Sequence, residues 1–119
     1  YAAEANGLYL YDARFHQLVQ ILTDDIRRLC GTQGFVAHAP LNMIYVANFS
    51  KFGDIEDDEK MFYAAADTGF ISQNVYLFCA AFGLGTVVRS WIDRPKLAHI
   101  LRLEEEQRII LAQTVGYPI

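Results

Sequence analysis

The chain is predicted to form an α+β domain, and three observations predict it. Between Asp57 and Gly83 there is no proline, the opening positions are acidic and the stretch stops at glycine, which describes one long helix. On either side lie runs rich in β-branched, aromatic and apolar residues, Asn42–Phe49 and Arg108–Val115 among them, with the character of buried strands. Strands alternate with short helices at both ends of the long helix, a layout of α+β or mixed α/β type. At 119 residues, 53% of them hydrophobic, the chain is one domain with enough apolar side chains for a real core.

Taken in order, Tyr1–Ala5 and Leu8–Tyr11 flank Asn6-Gly7, the dipeptide that best tolerates the positive φ angles of a type I′ turn, so a β-hairpin is expected. Asp12–His16 is a turn, and Gln17–Leu22 alternates loosely and pairs back as another strand. Thr23 is placed to cap a short helix over Asp24–Cys30, with acids in its first turn, Arg27 and Arg28 later and Gly31 beyond its end. A helical turn is expected within Thr32–Pro40, then the strand Asn42–Phe49 and a polar connection, Ser50–Glu56. After the long helix, Thr86–Arg89 has strand character. Pro95 suits a first helical turn, so Pro95–Leu101 is a short helix with Asp93 or Arg94 near its cap. Glu104–Gln107 is a solvated charged turn before the last strand, Arg108–Val115.

The long helix organises the rest. Its 26 or so residues extend roughly 39 Å, long for a domain of this size. From Phe70 onward the apolar side chains do not keep to one face; only Ser72, Gln73 and Asn74 interrupt the run to Phe82. Such a helix has to be covered on most sides, and its own short chain covers one side more easily than all. A second subunit, or further chain, is expected to cover the remainder.

Composition excludes several classes. With net charge −4 and scattered Lys and Arg there is no basic stripe for a nucleic-acid backbone or an anionic membrane. No apolar run approaches the ~18 residues of a spanning helix, and there is no signal-peptide pattern. Cys30 and Cys79 lie in unrelated contexts and are expected as buried free thiols in a reducing cytoplasm. His16, His38 and His99 show no ligand spacing, so no metal site is assigned. Gly83-Leu84-Gly85 follows a helix and lacks the third glycine of a dinucleotide fingerprint. No serine sits in a nucleophile elbow. What remains is Gly83–Ser90, a helix-end glycine pair leading into a strand whose backbone N–H groups are available to a ligand.

Here the residues carry a resemblance. Ala65-Ala66-Asp67-Thr68-Gly69, Gln73-Asn74-Val75-Tyr76-Leu77, Ala80-Ala81, Gly83-Leu84-Gly85-Thr86 and Val115-Gly116-Tyr117-Pro118 follow one another as in the C-terminal half of the FMN-dependent nitroreductase family. Gly7–Asp12 and Asn42–Ala47 are similar to the branch related to azoline-oxidising dehydrogenases. The resemblance covers nearly the whole chain. It implies a nitroreductase-like α+β fold, with a central antiparallel or mixed sheet and a long central helix, of which residues 1–119 form the C-terminal part. It also implies an intertwined homodimer with the helix at its centre and FMN at the subunit interface.

Carried over residue by residue, the resemblance places Val87, Val88, Arg89 and Ser90 along the flavin ring, where a backbone N–H stabilises charge on the reduced ring. Arg89 falls near the ring or phosphate, or else in a surface ion pair. No residue is assigned as an acid or base. Where the family commonly has a basic residue on the FMN phosphate, Ile119 stands here, and the arginine-containing phosphate site and Pro-Ser loop of the family have no counterpart ahead of Tyr1. Both ends look cut, and we expect the domain to continue beyond Tyr1. The implied activity is an FMN-dependent oxidoreductase that takes hydride from NAD(P)H and passes it to a small second substrate in a ping-pong cycle. The rival reading is a dimerising module without flavin.

Overall fold

The structure, a computed structural model, describes residues 1–118; Ile119, and with it the expected phosphate-site position, lies outside the described residues. One six-stranded sheet runs in the order β3-β2-β1-β4-β6-β5, with β1 Ala2–Glu4, β2 Gly7–Asp12, β3 Gln17–Leu22, β4 Leu41–Asn48, β5 Gly85–Arg89 and β6 Gln107–Gly116. Among the described residues every pairing is antiparallel. The long helix, α1 (Asp57–Phe82), lies on one face, and α2 (Arg94–Leu101) with short 3-10 turns at Arg27–Leu29 and Gly34–Ala37 covers the other. This is the expected α+β architecture.

Alternation along β6 divides the core. Ile109 joins Leu8, Ile44, Val36, Leu97 and Leu101 beneath the short helices, whereas Ile110 packs with Phe49 and Ala64 under α1. Flanked by β4 and β5 and covered on both faces, β6 has no reason to alternate apolar with polar residues, which is why its sequence is a nearly continuous apolar run. A register shift between Tyr45 and Val46 disturbs the β4–β6 ladder. There the Arg94 guanidinium takes the carbonyls of Ile109 (3.2 Å) and Ile110 (2.7 Å), satisfying two acceptors beyond the end of β5.

The helix starts at Glu56, whose side chain makes no capping bond, so the acids Asp57, Asp58 and Glu59 in the first turn supply the favourable charge. It ends at Gly83, φ 70°, whose amide bonds Cys79 O in the left-handed conformation only glycine adopts cheaply. Small residues, Ala64, Thr68, Ser72 and Cys79, form the buried stripe against the sheet. Large ones, Phe62, Phe70, Leu77, Phe78 and Phe82, point outward, and Phe70 is 72% exposed. The chain's own sheet therefore covers one stripe of the helix and leaves an aromatic flank open.

Three local expectations are corrected. The first hairpin pairs Glu4 with Gly7, so its turn residues are Ala5-Asn6, and Asn6 does not take a positive φ. Within this hairpin Gly7 alone takes a positive φ, 143°, and a Cβ there would also stand 2.3 Å from Leu22 O on β3. The helix expected at Asp24–Cys30 shrinks to the 3-10 turn Arg27–Leu29, and Thr23 caps nothing. Asp25 is the reason, because its carboxylate accepts from the Arg27 amide (3.1 Å) and binds the Arg27 guanidinium, closing a local turn that competes with the helix. Strand β4 ends at Asn48, and Phe49 opens a further 3-10 turn, Phe49–Lys51. The second helix matches its expectation closely: Asp93 caps it through the Lys96 amide, with Pro95 in the first turn.

Candidate functional site

The segment singled out by sequence is the outer edge of the sheet. Among the described residues strand β5 pairs only with β6, at Val87↔Thr114, Val88↔Gln113 and Arg89↔Ala112, and its other side carries no strand. Gly83 sets the direction in which the chain leaves α1, and Gly85 opens the strand against Gly116. Val88 turns its N–H away from β6 and donates it to Tyr76 Oη at 2.8 Å, tying the strand edge to α1. Ser90 follows the last paired residue of the strand, Arg89. Val87 and Ser90 are exposed.

Arg89 goes the other way. Only 5% exposed, its guanidinium sits inside the protein and donates to Thr114 Oγ1 (2.7 Å), Cys30 O (3.0 Å) and Asn42 Oδ1 (3.2 Å). Asn42 also accepts from Thr114 Oγ1 (2.7 Å) and donates to Val36 O (2.8 Å), so one network joins β5, β6 and β4 to Cys30 and to the 3-10 turn Gly34–Ala37. Gly31 makes room for it: a Cβ there would come within 2.2 Å of Arg89 Nη1. Among the described residues no carboxylate reaches this cation. Burial lowers its pKa, yet an arginine keeps its charge. The side chain is thus neither in a surface ion pair nor turned outward, and it is the backbone of Arg89 that lies along the edge.

On the opposite face a second network backs the strand. Tyr45 Oη donates to Gln113 Oε1, and Gln113 Nε2 donates to Ser72 O (3.3 Å) and Thr86 Oγ1 (3.1 Å). Thr86 Oγ1 in turn donates to Thr114 O (2.8 Å). Burial, with smaller contributions from Tyr76 and Cys79, pushes the Tyr45 hydroxyl up to about 12.

The four predicted residues line a shallow recess of about 340 Å³, closed by Gln33, Phe35 and Trp91. Those three were not legible as site residues. Phe35 sits within a turn of no distinctive pattern, and Trp91 has no motif around it; only folding brings them to the strand. A recess with aromatic walls beside a strand edge suits a flat ring. Nothing in it suits a phosphate, because its one guanidinium is spent on protein acceptors. Among the described residues no group of three or more His, Cys, Asp or Glu side chains is placed to hold a metal ion, and no helix is long and apolar enough to cross a membrane.

The family model of the nitroreductases matches residues 3–117. The chain belongs to the nitroreductase family. A candidate nitroreductase of Methanocaldococcus jannaschii is 30% identical over 110 residues, 88% of this chain and 55% of that protein. The crystal structure of a candidate nitroreductase from Ralstonia eutropha JMP134 superimposes with a TM-score of 0.91 at 39% identity, over 100% of this chain and 57% of that one. A candidate nitroreductase from Anabaena variabilis shares the fold at 21% identity, TM-score 0.83, over 95% of this chain and 24% of that chain. This nitroreductase-family chain spans about half the length of the first two.

Proposed function

We propose that the protein is an FMN-dependent oxidoreductase that uses NAD(P)H to reduce a small second substrate, a nitroaromatic, a quinone or a similar acceptor, in a ping-pong cycle. The observation that carries this reading is the exposed edge of β5 beside the aromatic recess, within a chain of the nitroreductase family. When bound, the flavin supplies hydride acceptance and donation.

In this reading the chain's residues position and shield. Val87 gives an apolar surface to the ring. The Val88 amide is committed to Tyr76, which leaves the Ser90 amide as the donor toward the ring's polar edge. Arg89 holds the strand from behind by tying it to Thr114, Asn42 and the turn at Cys30. The phosphate is held by residues outside the recess.

We further propose a homodimer built on the open flank of α1, where Phe62, Phe70, Leu77, Phe78 and Phe82 are each more than half exposed along one helix. The unpaired thiols Cys30 and Cys79 accord with a cytoplasmic protein. The test is direct: the intact protein should be yellow, and its visible absorbance should bleach on adding NADH or NADPH and return with menadione. A colourless protein that takes up no FMN on incubation would favour the rival, a dimerising relative without flavin.

A further inference from the structure

Trp91 is the only tryptophan in the chain, and it combines an exposed side chain with a held backbone. The indole is 68% exposed. Immediately before it, Ser90 O accepts from the Ile92 amide (2.9 Å) and from Arg94 Nη1 (3.2 Å), which closes a tight turn with Trp91 at its apex. Trp91 O accepts from the Thr32 amide (3.1 Å) and from Thr32 Oγ1 (3.5 Å). Arg94 is itself fixed on Ile109 O and Ile110 O, so the turn is anchored to the centre of the sheet. The facing wall is held too, since Asn42 grips Val36 O next to Phe35. The held backbone fixes where the exposed Trp91 stands beside the recess, and with only two side-chain torsions tryptophan gives up little freedom for its area when it meets a partner, a property that suits it as an anchor in recognition.

The shape of the recess selects the partner. Phe35, Val87 and Trp91 offer apolar surfaces, while Gln33 and Ser90 offer hydrogen bonds at its margin. An extended peptide would need the free ladder of β5, but the Val88 amide is already bound to Tyr76. We propose that Trp91, on a held backbone, is a stacking post for a planar aromatic ring entering the recess beside β5. The proposal rests on the oxidoreductase reading only for which ring arrives: the acceptor's or the flavin's own.

Trp91 supplies its own reporter, because the emission that Trp91→Phe removes from the intact protein is the part quenched by a ring stacked on Trp91. Flavin-free protein is titrated with FMN and, separately, flavin-loaded protein with menadione. Quenching is expected in one arm or both. In Trp91→Ala the corresponding affinity should fall roughly tenfold, and Trp91→Phe should restore most of it. A loss confined to FMN affinity identifies the cofactor's ring; a raised KM for menadione with kcat little changed identifies the acceptor's. Unchanged binding of both in Trp91→Ala overturns the proposal. So does a Trp91 emission, taken as the difference from Trp91→Phe, that is already typical of a buried tryptophan before any ligand is added, since another protein surface then covers it. If the protein takes up no FMN, the oxidoreductase reading fails, and menadione binding to wild type and Trp91→Ala by equilibrium dialysis still decides the stacking post.

Discussion

Arg89 carries a charge into a part of the core where only neutral acceptors meet it, which makes the fork of its guanidinium indispensable. Three acceptors lie in three directions, on Thr114, Cys30 and Asn42. A lysine has the charge but not the planar fork, so Arg89→Lys leaves at least one buried acceptor unmet, and should cost about 2 kcal/mol in urea unfolding. Gly31→Ala should cost a similar amount, about 2 kcal/mol, by driving a methyl group into the same guanidinium. Because both changes act on one contact, the double variant should lose less than the sum.

A buried thiol and a half-buried tyrosine give a pH dependence whose sign is fixed. Burial raises the Cys30 thiol from its ordinary 9.0 to about 11 and the Tyr45 hydroxyl from 10.0 to about 12. In both cases the folded chain holds its proton more tightly than the unfolded chain. Stability is therefore complete below about pH 9 and falls as the pH rises, first through the thiol's window and then through the hydroxyl's. Chemical unfolding between pH 9 and 11 should show the decline, and it should be shallower in Cys30→Ala. In the native state at neutral pH both buried thiols should resist alkylation until the chain unfolds.

At the scale of elements, α1 reverses the usual distribution of an amphipathic helix. Its buried stripe is small because the helix must lie close on β5 and β6, and its bulk is directed away from its own sheet. Gly69 tests what that outward bulk is for. A Cβ added there meets nothing within 4 Å, so Gly69→Leu should leave the fold intact, and by helix propensity alone should gain up to about 1 kcal/mol. If the flank is a close helix–helix seam between subunits, the same change should abolish the dimer. Thermal melting at low concentration together with light scattering separates the two effects, and a Gly69→Leu dimer of wild-type affinity would rule out a close seam at this position.

For the whole molecule, light scattering of the intact protein should give twice the monomer mass. A clean monomer would remove the reason for the apolar flank. Association and flavin uptake should also be linked if the ring lies in the seam between subunits: added FMN should favour the dimer, and dilution below the dimer's dissociation constant should release FMN.

What could be read in the sequence was whatever depends on neighbours a few residues away. The long helix, its acidic start and its Gly83 stop, the capped turn into Pro95 and the apolar runs of β4 and β6 all follow from local backbone and side-chain chemistry. The order of motifs along the chain was enough to place it among nitroreductases and to single out Val87–Ser90. Tertiary structure decided the rest, because strand pairing is settled by partners far away in the chain. It moved the first turn to Ala5-Asn6, since β3 needs Gly7 for close approach, and it let Asp25 close a turn where a helix was expected. It turned Arg89 inward, because register with β6 gives that position to the covered face. It also brought Phe35 and Trp91 to one strand edge, a meeting that no spacing in the sequence encodes.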